Sequence, residues 1–366
     1  APTATASFTD GIRSLATAEE HREDWWLVYE GNFQHGHHHG AGTAFWSNGK
    51  VRATGTWKGG ELDGTGKSFR KDGTLEHEGG RKGRKRHGEG TSYWPNGQVR
   101  ATGTWKEDKL DGTGKDFRED GTLNYEGGFK AGQRHGEGTS YWPNGQVLGM
   151  GTRKEGELDG PGKYFYEDGG LEYEGGFKAG KIHGEGTWYW PNGQVHATGT
   201  RKRGALDGTG KYFYDDGTLE YEGSFKAGKR CGEGTSYWLN GKVRATGTWK
   251  EGALDGTGKC FYEDGTLEYE GGFKAGLRCG EGTDYWPEGH VAATGTWKEG
   301  ELDGTGKCFD EDGTLEYEGG YKAGRHHGEG TWYWSNGQVR AVGTWKEGKL
   351  EEADARIVVR AQTAGA

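Results

Sequence analysis

From Tyr29 to about Leu350 one motif of 24 residues recurs thirteen times with no insertion or deletion. Two variants alternate: YEGGFKAGQRHGEGTSYWPNGQVL (Tyr125 to Leu148) and ATGTWKEDKLDGTGKDFREDGTLN (Ala101 to Asn124). The resulting 48-residue super-repeat is marked by Tyr29, Tyr125, Tyr173, Tyr221, Tyr269 and Tyr317, with His77 in the one deviant copy. A fixed period of this kind means that each unit buries its apolar face only by stacking on its neighbours. The expected organisation is therefore one repeat array over residues 29–350, with an N-terminal cap (1–28) and a C-terminal cap (351–366). Its surface should be long and periodic, without a single special cleft.

Apolar residues make up only 30% of the chain, too few for a thick layered core. Gly accounts for 76 of 366 residues, which without a period would suggest disorder. Here the glycines fall at fixed slots and 13% of residues are aromatic, a combination that argues for order. The net charge of −9 is small for this length, and Lys and Glu are interspersed. Such a surface gives no electrostatic reason to bind nucleic acid. No apolar run approaches the length of a membrane span, so membrane contact would not involve a transmembrane segment.

Within a copy, LEYEGGFKAG alternates so that Leu171, Tyr173, Gly175 and Phe177 share one face and Glu172, Glu174, Gly176 and Lys178 the other. Period-two alternation marks a strand with unlike faces. The break AGKIHGEG follows, and GTWYWPNG supplies a second strand. Asn192-Gly193, Asp215-Asp216-Gly217 and Glu263-Asp264-Gly265 are turn signals between strands. The expected fold is all-β: a single elongated, twisted antiparallel meander of successive hairpins, with roughly 27 strands spanning about 130 Å at the usual strand spacing. The slot holding Phe45, Phe69, Tyr93 and their equivalents is aromatic in every copy and is assigned to the packed face, against flat Gly positions.

Thr17 and Glu20 have capping-box spacing, which predicts a short helix over Ala18 to Trp26. Trp25 and Trp26 would then cover the first sheet edge. At the other end Glu351 and Glu352 break the pattern, and ARIVVRA (Ala355 to Ala361), with Ile357 and Val359, reads as a closing strand. Both segments fit edge protection or partner docking. The chain begins at Ala1 in the stretch APTATAS without Met. Met removal or trimming accounts for that, as does cleavage of an organelle transit peptide. Cys231, Cys260, Cys279 and Cys308 occur as two pairs 48 residues apart. Four strand spacings would hold equivalent thiols about 19 Å apart, beyond disulfide reach, so they are expected to be free and the setting intracellular, cytoplasm or an organelle.

The segment YEGGFKAGKIHGEGTWYWPNG (Tyr173 to Gly193) resembles the MORN repeat, whose pattern is roughly YxGxWxxGxxHGxGxxxxxxG. The alternate variant, with Leu-Asp-Gly in place of His-Gly, is similar to the bacterial-type MORN variant. The resemblance spans the whole array. It implies an elongated sheet of hairpins and a role in scaffolding and protein–protein contact, with lipid binding proposed for some members.

The candidate sites also have plainer structural readings. The row His87, Asp111, His135, Asp159, His183 and Asp207 falls in the expected hairpin break, where Asp and His cap backbone groups. Successive members would be about 10 Å apart, too far for direct pairing. HGHHHG (His35 to Gly40) lacks a carboxylate or thiol to complete a metal site, so no metal or other cofactor is expected. GTGKSF (Gly64 to Phe69) contains Gly-Lys-Ser, but Glu61 stands where a phosphate loop needs its first Gly, and the segment recurs in a predicted strand. No nucleophile, base and orienting group form a unique set, so no catalytic residue is assigned and the chain is read as a non-enzyme. The row Trp46, Trp94, Trp142, Trp190, Trp238, Trp286 and Trp334 adjoins the packed slot and should face the other way, as a periodic surface for partner proteins. These readings predict a scaffold subunit contacting other protein subunits of a larger assembly, ciliary or organellar. The alternatives are a peripheral phospholipid-binding module and an immunity-like protein that binds a toxin. Against the former, the row Lys130, Lys178, Lys226, Lys274 and Lys322 is accompanied by Glu126, Glu174, Glu222, Glu270 and Glu318 on one predicted face.

Overall fold

The computed structural model describes residues 17–21 and 27–353. They contain 29 strands, β1 to β29 in chain order, and no helix. The chain divides into two compact units between Lys181 and Ile182. In each, every strand pairs antiparallel with the next one along the chain. The first unit runs from β1 (Thr17–His21) and β2 (Leu27–Gln34) to β13 (Glu157–Phe165) and β14 (Leu171–Lys178). The second runs from β15 (Lys181–Tyr189) to β28 (Val339–Lys346) and β29 (Lys349–Ala353).

One hairpin shows how the motif folds. β10 (Leu123–Lys130) and β11 (Gln133–Tyr141) are joined by Ala131 and Gly132, at φ +50° and +85°. Two central residues with positive φ make the mirror-image turn whose twist matches that of the strands. Ala is strained there by roughly 1 kcal/mol. Two bonds from the preceding hairpin offset the strain: Gly132 N–H donates to Leu110 O (2.8 Å) and Ala131 N–H to Asp111 Oδ2 (2.9 Å). The Asn-Gly pairs sit elsewhere, in five-residue loops. Trp142 N–H donates to Gln146 O (2.8 Å), Gly145 N–H to Trp142 O (3.0 Å), and Asn144 Oδ1 accepts from Gln146 N (2.9 Å). The turn signals thus mark real connections, but the tightest ones are the unremarkable-looking Ala-Gly and Glu-Gly pairs.

Each strand pair also carries a bulge. The register slips between Gly127 and Phe129, and again between Ser140 and Tyr141. Gly128 fills the first bulge because an added Cβ would lie 2.1 Å from His135 O. The second bulge changes which residues share a face. The buried row is Tyr29, Tyr125, Tyr173, Tyr221, Tyr269 and Tyr317, all 0% exposed, with Phe129, Phe177, Trp105 or Trp249 and a Leu beside them. The invariant slot of Tyr93 and Tyr141, expected on the packed face, lies half-buried on the opposite side. There the Tyr93 and Tyr141 hydroxyls donate to Glu78 and Glu126, each at 2.6 Å. Counting by twos along a strand fails once a bulge inserts a residue.

A row of glycines, one per strand, runs through the middle of each unit. Gly127 pairs with Gly138, Gly138 with Gly151 and Gly151 with Gly162; Gly223, Gly234, Gly247 and Gly258 repeat the pattern. Tyr125 lies flat on this seam: a Cβ on Gly138 would sit 2.0 Å from Tyr125 Oη. The hydroxyl donates to Gly128 O (3.2 Å), Phe129 meets the ring edge-on at 5.2 Å, and the Arg134 guanidinium lies 4.6 Å above it. His38 and His326 stack at 3.7 Å on Tyr29 and Tyr317 in the corresponding places. Burying each such side chain contributes about 1.5–3 kcal/mol. The sheet is therefore stabilised column by column, without a covering helix layer among the described residues.

Two expectations for the ends change. Ala18 to His21 are strand, not helix, because β1 pairs with β2 from Thr17↔Asn32 to His21↔Leu27. Strand pairing satisfies the backbone groups that a capping box would otherwise serve. At the other end β29 carries the sheet through Glu351 and Glu352, with Thr344 paired to Glu352. Trp25, Trp26, Ile357 and Val359 lie outside the described residues.

Candidate functional site

The polar face of each unit is floored by the glycine seam and lined by threonines, glutamates and lysines. In the first unit Thr54, Thr65, Lys67 and Glu78 surround a trough of about 460 Å³. In the second, one trough of about 890 Å³ includes Glu185, Lys211, Glu222 and Glu233, and another of about 820 Å³ includes Glu281, Lys307, Glu318 and Glu329. The three have equivalent linings because they are the same motif at different copies.

One arrangement recurs on this face. Lys115 Nζ lies 2.8 Å from Glu126 Oε2, while Tyr141 Oη donates to Glu126 Oε1. Lys67–Glu78–Tyr93, Lys211–Glu222–Tyr237, Lys259–Glu270–Tyr285 and Lys307–Glu318–Tyr333 repeat it. The Lys115 and Tyr141 hydrogen bonds hold the Glu126 carboxyl below its ordinary range. Burial, with the bond to Glu126, pushes the Tyr141 phenol up to about 12. A second carboxylate row is more open: Glu89 and Glu281 accept from Thr104 and Thr296 at 2.6 and 2.7 Å. Those two shifts keep Glu126 charged and Tyr141 neutral near neutral pH, which suits presentation of fixed charges and hydroxyls at a constant pitch.

The glutamates expected to accompany Lys130 and its equivalents are thus engaged by other lysines. Lys130, Lys178, Lys226, Lys274 and Lys322 end their strands beside the tight turns and are exposed.

The tryptophan row lies at the opposite edge, in the five-residue loops, on the side of the buried tyrosines. Arg340 shows this directly, lying 3.6 Å from the core-side Trp332 and 4.3 Å from Trp334. The row does face away from the Tyr93 slot, as alternation requires, but the two faces are exchanged relative to the sequence expectation. Trp46, Trp94, Trp142, Trp190, Trp238 and Trp286 are half-buried. Each donates its indole N–H to the main chain at the strand end before the next loop on that edge: Trp94 to Phe117 O at 3.2 Å and Trp238 to Phe261 O at 3.1 Å, for example. In alternate copies Arg118 does the same to Tyr141 O, and Tyr262 Oη to Tyr285 O (2.9 Å). Trp334 is the most open of the row, at 45% exposure.

The remaining candidates resolve into structure. Asp111, Asp159 and Asp207 accept from the turn residues Ala131, Ala179 and Ala227 of the following hairpin. Their capping role was legible, but they and His87, His135 and His183 stand inside strands, since the turn is only two residues long. Among the described residues no three potential ligands gather as a metal site, and His38 is stacked on Tyr29. Gly64 to Phe69 belong to the strand Glu61–Phe69, and Lys67 is paired with Glu78. Sequence reasoning missed the Lys–Glu–Tyr groups, whose members lie 11 and 15 residues apart and meet only once register is known. It also missed the bonds from the loop Trp, Arg and Tyr side chains to main-chain carbonyls, which link residues 23 apart. All four cysteines are free, as expected.

The MORN repeat model matches residues 29–51, 54–75, 102–115, 125–147, 173–195, 221–243, 269–291 and 317–339. A MORN repeat variant model matches residues 86–107, 158–179, 206–227, 254–275 and 302–323. No curated protein matches the chain. Among solved structures, the crystal structure of TcdB2-TccC3 aligns with 91% of this chain and 19% of its own, at 9% identity and a TM-score of 0.17. The Photorhabdus luminescens Tc holotoxin pore aligns with 94% of this chain and 22% of its own, at 10% identity and a TM-score of 0.16. The chain spans about a fifth of the length of these toxin chains. Superposition this poor says nothing about function.

Proposed function

Because the chain belongs to the MORN repeat family, whose repeats are linked to protein or membrane-phospholipid binding and are in general non-catalytic, we propose that it is a non-catalytic scaffold subunit that holds other proteins in a larger assembly. The supporting observation is recurrence. The same Lys–Glu–Tyr group, the same open glutamate and the same loop tryptophan return every 48 residues in both units. A surface built this way offers several equivalent contacts, so weak single contacts add into strong attachment where their spacing matches the partner's. The docking surface in this reading comprises the polar troughs and the loop edge with its tryptophan row, Trp334 presenting the most ring. No helix among the described residues is long and apolar enough to cross a membrane. The four free thiols favour an intracellular setting.

Size-exclusion chromatography of a native extract, followed by affinity capture and mass spectrometry, tests the proposal. It expects elution well above the monomer position with a reproducible set of protein subunits. Elution only as a free monomer would sink it, and flotation with phospholipid vesicles in place of protein capture would turn the assignment to the lipid-binding alternative.

A further inference from the structure

We propose that the second unit docks side by side with another copy of this chain, the tight-turn edge of one copy against the five-residue-loop edge of the next. The observation is a separation of charge along the strands. In the second unit, the two-residue turns and their flanking strand ends, from Lys202 to Lys349, carry eleven basic residues against four glutamates, a net +7. Lys202, Lys226, Lys274 and Lys322 are exposed at the strand ends. The loops at the other end, from Trp190 to Gln338, carry eight carboxylates against one cation, Lys242, a net −7. Asp215, Glu263, Glu288 and Glu311 are exposed there.

The strands are eight or nine residues long, so the two edges lie about 25–30 Å apart, beyond a Debye length at physiological salt. They do not neutralise one another within a copy. Both edges repeat with the same 48-residue period, so the lysines of one copy meet the carboxylates of another repeat for repeat. The first unit is not equivalent: its loops set four cations (Lys50, Arg70, Lys71, Arg118) against five carboxylates, a net −1. Complementary charge steers association and fixes register, and here it points a lysine edge to the second unit. The contact is head-to-tail in kind, with different patches on the two copies, so it propagates unless a ring closes.

Sedimentation of the full chain tests this. At about 10 mM salt, where the Debye length is about 30 Å, the mass should rise with concentration, and at about 1 M, where it is about 3 Å, the chain should be monomeric. Two quadruple variants separate the edges: Asp215→Lys/Glu263→Lys/Glu288→Lys/Glu311→Lys and Lys202→Glu/Lys226→Glu/Lys274→Glu/Lys322→Glu. Each alone should lose association at least about tenfold, while their mixture, which sets the unaltered lysine edge of one variant against the unaltered carboxylate edge of the other, should regain it. Circular dichroism of both variants checks that they fold. A wild-type chain monomeric at low salt, or a mixture that does not associate, overturns the proposal. So does low-salt binding to phosphatidylserine vesicles without self-association, which gives the lysine edge to an anionic bilayer. The inference extends the scaffold reading to self-contact and fails separately from it: a monomer in pure solution that still enters a large assembly in extract refutes only the inference.

Discussion

At the scale of single residues, space over the glycine seam decides what is tolerated. Gly138→Ala would drive a Cβ to 2.0 Å from Tyr125 Oη and 2.4 Å from its Cζ, whereas a Cβ on Gly136 meets nothing within 4 Å. Gly136→Ala therefore carries only the penalty of φ +74°, about 1 kcal/mol. Gly138→Ala should cost about 3 kcal/mol or more, as overpacking of a tight core does. Urea melts of the two variants check the difference, and equal losses would refute the role given to the seam. His77 is the second test. It takes the place of a buried tyrosine, is 1% exposed, and neither ring nitrogen has a partner. Burial, with help from Arg81 and Arg86, pushes its pKa down to about 3. The unfolded chain takes up the proton near pH 6.5. The stabilising effect of a neutral His77 is thus complete above that pH and is lost as pH falls from about 6.5 towards 3. His77→Tyr should widen its stability advantage over wild type by roughly 2–4 kcal/mol between pH 7 and pH 4. A gap that does not change with pH would show that His77 is not kept neutral by the fold.

At the scale of elements, each hairpin is tied to the next at both ends. Asp207 Oδ2 accepts from Ala227 N–H, Gly228 N–H donates to Leu206 O (2.8 Å), and at the far end the Trp238 indole reaches Phe261 O. Asp207→Ala leaves a strained turn without its cap and should cost about 1 kcal/mol, while Ala227→Asn, giving the favoured Asn-Gly pair, should return about as much. Hydrogen exchange at the Ala227 turn checks both, with faster exchange in the first variant and slower in the second. Much of this level was legible in the sequence. The copies, the strand alternation and the hairpins follow from spacing, and β2 to β28 are the 27 strands expected for the array. The faces were misassigned because the bulge at Ser140/Tyr141 shifts parity without leaving a mark in the residues. The tight turn was hidden for a related reason. Ala131-Gly132 is made acceptable by Asp111, twenty residues back, and Asn144-Gly145, the better local signal, is drawn into a wider loop by Trp142 and Gln146. The tryptophans looked free because their acceptors lie 23 residues ahead.

At the scale of the whole molecule, stability is a sum of neighbour interactions. Excising one super-repeat, Tyr221 to Glu268, returns every remaining strand to a partner of the same kind. The shortened chain should stay folded, with a urea m-value lower in proportion to the surface lost. Removing only Ala245 to Glu268 should be worse. Ser236 now lies between Tyr221 and Ala245, and that excision would set Tyr269 in place of Ala245 and Phe273 in place of Trp249. Matched melts that unfold alike would mean the alternation carries no packing information. The glycine seam also bears on descent. A strand asks of its neighbour only bare backbone at mid-length and a ring to lie on it. Slippage during replication that adds or drops 48 codons leaves that requirement met everywhere, so the gene can grow or shrink in whole quanta without any core having to be reinvented.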